Sequence, residues 1–148
     1  MVIIADSMAE DRPGSRPGTD GTFRLFEKTL VTQDPRDRIP ALIAPGTSRD
    51  PRVVQLLIDC CRDRDPAIRL HAIEELQQMR SGRSVEVLLE RFRDKRESYE
   101  IRKRAVVALA AIGSDRAIQE LKNTIVDPNE HAALRSLIGW ELERVHIW

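Results

Sequence analysis

The chain has 148 residues, and its 24 Lys plus Arg balance its 24 Asp plus Glu. One domain with 41 % hydrophobic residues can furnish a core, and the zero net charge excludes blanket attraction to nucleic acid or anionic membrane. The only thiols, Cys60 and Cys61, are adjacent, which fits neither a disulfide framework nor a zinc site, and no apolar run approaches the roughly 18 residues of a membrane helix. A soluble, cytoplasmic protein is expected. In chain order, residues 1–21 come first, with Pro13-Gly14 and Pro17-Gly18 set among Ser, Asp and Arg. They show no apolar period after Ala5 and are expected to form a flexible N-terminal arm. From Phe23, Phe26 and Leu30 onward the spacing is helical, so residues 22–148 are expected to form one helical domain. Helices are expected near 22–31, 35–44, 51–61, 66–79, 84–93, 98–112, 115–125 and 129–146. The Asp-Pro pairs at Asp34, Asp50, Asp65 and Asp127 suit helix starts, because Asp caps the first-turn amides and Pro fits the first position. Gly82 and Gly113 are placed where a left-handed stop is needed.

The elements repeat. Ile68-Arg69-Leu70-His71-Ala72-Ile73-Glu74-Glu75-Leu76 aligns with Ile101-Arg102-Lys103-Arg104-Ala105-Val106-Val107-Ala108-Leu109 at an offset of 33 residues. The same offset carries Leu88 to Leu121 and Asp94 to Asp127, and a further step carries Arg102 to Arg135. Backwards, an offset of 31 carries Asp65-Pro66 to Asp34-Pro35 and Arg69 to Arg38. A fixed period of this size marks stacked helix pairs, each too small to hide its own apolar stripe. The expected buried faces are Ile68/Ala72/Leu76/Met79 on a first helix, and Val54/Leu57/Ile58/Cys61, Val85/Leu88/Leu89/Phe92 and Ile118/Leu121/Ile125 on second helices. Cys61 falls on the core face and Cys60 on a flank.

The signature Asp65-Pro66-x-Ile68-Arg69-x-x-Ala72-Ile73-x-x-Leu76, echoed from Ile101 to Gly113, resembles the HEAT-repeat superfamily, in particular the short HEAT-like repeats of phycobilin lyases. The resemblance spans about residues 34–145. It implies an all-α fold: a right-handed α-α superhelix, a short solenoid of about three and a half helix pairs. It also implies that first helices line the convex side and second helices the concave, binding side. Pro40 and Pro45 depart from the pattern and should shorten and kink the first helix. The last unit has a first helix and no second.

Nothing in the residues builds a catalytic centre, a metal site or a cofactor pocket. None of His71, His131 and His146 is followed by Glu, so the His-Glu dyads of the HEAT-like deoxyhypusine hydroxylase are missing, and His71 has only Glu75 at i, i+4. No phosphate loop or nucleophile elbow is present. The row Arg38, Arg69, Arg102 and Arg135 reads either as an anion ladder or as a structural row in which each Arg bonds an Asp or carbonyl at a neighbouring turn; the second is favoured.

The candidate partner-binding surface is a second row. Arg52, Gln55, Leu56 and Asp59 lie opposite the core face, followed in register by Arg83, Glu86, Val87 and Glu90, then by Arg116 and Gln119. Arg beside solvent-facing Leu56 and Val87 is the composition of a protein interface. Trp140 and Trp148, in the terminal half-repeat, are expected to cap the solenoid, or else to dock a partner or a second copy. The leading expectation is a non-catalytic interaction module, a scaffold or adaptor that binds another protein. The alternative is a phycobilin-lyase-like accessory or chromophore-handling subunit. A third reading is nucleic-acid binding through residues 91–104, which hold seven basic residues against three acidic ones; the chain's overall neutrality and the lack of stacking aromatics besides Tyr99 weigh against it.

Overall fold

The computed structural model describes residues 51–145, and the expected arm, the helices over 22–31 and 35–44, and Trp148 lie outside them. Among the described residues there are six α-helices and no strand. They are α1 (Pro51–Cys60), α2 (Pro66–Met79), α3 (Val85–Arg93), α4 (Tyr99–Ile112), α5 (Asp115–Ile125) and α6 (Ala132–Arg144). The expected helical repeat is therefore the observed architecture.

Side chains set most of the boundaries. Asp65 accepts the Ala67 N–H at 2.8 Å, with Pro66 at the first helical position of α2. Ser98 and Ser114 cap α4 and α5 in the same way. Gly113 ends α4 at φ +67°, as the sequence requires. Two capping expectations are not met. The left-handed stop of α2 is Arg80, at φ +50°, not Gly82, which instead opens a 3-10 turn, Gly82–Ser84, leading into α3. Asp127-Pro128 does not start a helix: Asp127 folds a turn by accepting the Asn129 N–H at 2.9 Å, and α6 begins only after His131. Asp94, 33 residues earlier, makes the same turn by accepting the Arg96 N–H at 2.9 Å.

First helices α2, α4 and α6 stack in sequence, α2 on α4 and α4 on α6; α1, α3 and α5 pack against them as the second layer. One core runs the length of the stack: Leu57, Ile68, Ala72, Leu76, Leu88, Leu89, Leu109 and Leu121 are fully buried, whereas Met79 and Ile125, expected on the buried faces, are only half-buried against it. Burying so many aliphatic side chains is the dominant favourable contribution to the fold, at about 2 kcal/mol each.

Candidate functional site

Two sets of polar side chains recur at the repeat spacing. The first lies where the turns meet. Arg69 makes a bidentate pair with Glu97, at 2.9 and 2.7 Å, and donates to the Asp63 and Arg64 carbonyls. One repeat later, Arg102 donates to Glu130 at 2.7 Å and to the Phe92 carbonyl at 2.8 Å, and stacks its guanidinium over the Phe92 ring. Arg91 also reaches Glu97 at 3.0 Å, and Lys95 reaches Glu130. Both carboxylates are buried. Burial pushes Glu130 up, but hydrogen bonds from Arg102, Lys95 and the His131 N–H outweigh that and hold it at about 2. Arg69 and Arg102 are thus structural, as favoured, with carbonyls and a Glu, not an Asp, as their partners, whereas Arg38 lies outside the described residues. The sequence reading missed Glu97 and Glu130, although the 33-residue offset that carries Arg69 to Arg102 carries one to the other.

The second set is the row on α1, on α3 with the 3-10 turn before it, and on α5. Arg52, Gln55, Asp59, Arg83, Glu86, Glu90, Arg116 and Gln119 are all exposed, as expected. Gln55 donates to Asp59 and Gln119 donates to Asn123, each four residues on. The middle helix instead carries Glu86 and Glu90 at that spacing, a repulsive pair on an isolated helix. Each is answered from a different neighbour: Arg62, after α1, holds Glu90 with bonds of 3.0 and 2.8 Å, and Arg116, on α5, holds Glu86. The Arg hydrogen bonds lower both carboxyl pKa values.

Val87 does not belong to this surface. It is 1 % exposed, and Leu56 is half-buried against the core. At the same register on α5, Glu120 pairs with Arg93 at the end of α3, so on α5 this side faces the preceding second helix. Cys60 is buried on the same stripe and does not stand on an open flank. Cys61 is fully buried, and desolvation pushes its thiol up to about 12, far from a reactive thiolate. Trp140 is 61 % exposed and therefore does not bury itself as a cap.

The basic segment 91–104 is neutralised within the fold. Arg91 pairs with Asp94 and Glu97, Arg93 with Glu120, Lys95 and Arg102 with Glu130, Arg96 with Asp94, Lys103 with Glu100, and Arg104 with Glu74 and Glu100. The cleft of about 370 Å³ beside it mixes Arg62, Arg69, Arg91 and Arg96 with Asp63, Asp94 and Glu97. His71 contacts Glu74 at 3.3 Å, not Glu75. Among the described residues no three His, Cys, Asp or Glu side chains are grouped to hold a metal ion, and no helix is long and apolar enough to cross a membrane.

Residues 24–99 match the family model described as HEAT repeats, and residues 101–127 match the one described as PBS lyase HEAT-like repeat. No curated protein matches the chain significantly.

Proposed function

The chain belongs to the HEAT-repeat family, and we propose that it is a cytoplasmic, non-catalytic protein–protein interaction module whose partner binds the second-helix row. Repeats of this kind commonly serve protein interaction. The observation that carries the reading is the register of exposed polar side chains on three successive second helices, from Arg52 through Glu86 and Glu90 to Arg116 and Gln119. The Arg62–Glu90 and Arg116–Glu86 pairs are exposed, so these side chains can exchange their internal partners for those of another protein at little cost. With Val87 withdrawn into the core, recognition there depends on charge complementarity more than on apolar contact.

Reversing Arg52, Arg83 and Arg116 to Glu should abolish capture of a co-purifying protein while leaving the helical circular dichroism intact. Undiminished capture by a folded variant refutes the row as the binding surface. The match of residues 101–127 to the lyase-type repeat supports a second reading, an accessory protein that handles an open-chain tetrapyrrole. Mixing the protein with a free bilin should then shift the visible absorption band, and an unshifted spectrum disposes of that reading.

A further inference from the structure

Two rungs of the buried Arg–Glu ladder close and the third stays open. Arg135 follows Arg102 by 33 residues, as Arg102 follows Arg69. Arg69 and Arg102 each bind a Glu located 28 residues further on. Among the described residues no ion pair forms at Arg135, and its Nε is buried without a hydrogen-bond partner. Beside it, Ser136, Gly139, Trp140 and Glu143 form a stripe at helical spacing along α6. Their counterparts on α4, namely Lys103, Val106, Val107 and Ala110, are buried or half-buried. On α6, Trp140 is exposed, and a Cβ added at Gly139 would meet nothing within 4 Å.

We propose that this face of α6 docks a helix of a partner protein whose leading turn carries a carboxylate. The carboxylate pairs with Arg135 as Glu97 pairs with Arg69, and the helix covers Trp140. The inference rests on the reading of the chain as an interaction module but uses a surface separate from the second-helix row. Charge complementarity selects the occupant. A buried guanidinium nitrogen without an acceptor gains a charge-assisted hydrogen bond from a carboxylate, and both closed rungs show that acceptor arriving just ahead of a helix. A second copy of the chain offers a poorer match at α2, which has Arg64 where α4 and α6 have Glu97 and Glu130. Trp140 supplies the aromatic anchor that such interfaces favour.

The test uses the full chain with Trp148→Phe, so that Trp140 is the sole tryptophan. The probe is a helix-stapled peptide of residues 94–112, which carries the Asp94–Glu97 turn and the α4 sequence. Saturable binding with a blue shift of Trp140 emission is expected. Glu97→Gln in the peptide, or Arg135→Gln in a folded protein, should weaken binding by about tenfold or more. Reversing Arg52, Arg83 and Arg116 should leave peptide binding unchanged, which separates this site from the row. No binding at about 1 mM peptide overturns the proposal, as does affinity indifferent to Glu97→Gln. Self-association that shields Trp140 in light-scattering and fluorescence measurements also overturns it, by assigning the face to a second copy.

Discussion

The Arg–Glu pairs at the turns and those on the second-helix row use the same chemistry in opposite surroundings. Glu97 and Glu130 have side chains 3 % and 5 % exposed, each answered by two cations, whereas Arg62 and Glu90 are 48 % and 45 % exposed. A buried carboxylate that loses its partner leaves an uncompensated charge; an exposed one is rehydrated. The turn pairs therefore fix how one repeat sits on the next, and the row pairs only arrange a surface. A surface held this weakly is free to exchange its internal partners for those of another protein.

The largest effects should come from the core that the turn pairs seal. Leu109→Ala and Leu88→Ala should each cost about 2 to 5 kcal/mol in urea unfolding; a loss under about 0.5 kcal/mol would mean these side chains do not pack between helices. Next comes Glu130. Its carboxyl, normally near 4.5, is depressed in the fold to about 2, so its contribution is complete above the ordinary carboxylate range. That contribution should be lost as pH falls from about 4.5 to about 2. It amounts to about 3 kcal/mol. Glu130→Gln should remove that part of the acid sensitivity, and identical pH profiles for the two proteins would refute the buried pair. Smallest is Arg62→Gln, expected to change stability by less than about 0.5 kcal/mol. A loss comparable to that of Glu130→Gln would erase the contrast between the two regions.

Much of the fold was legible because apolar spacing and caps act locally. The start of α2 follows from Asp65-Pro66, the end of α4 from Gly113, and the core from Ile68, Leu88 and their counterparts. What escaped depends on the neighbouring repeat. Val87 and Cys60 read as surface on an isolated helix, and only packing within the stack assigns their stripe to the interior. Asp127-Pro128 has the composition of a cap, yet it turns the chain so that Glu130 can reach Arg102. The exposure of the polar residues of the row was legible but their pairing was not, since Arg62 and Arg116 meet Glu90 and Glu86 only across the stack.

The central claim, that a buried Arg–Glu rung locks each repeat to the next, is tested most directly by comparing Arg102→Gln with Arg135→Gln in urea unfolding at neutral pH. The closed rung at Arg102 should lose about 3 kcal/mol, while the open position at Arg135 should change by no more than about 0.5 kcal/mol. Equal losses at the two positions would contradict it.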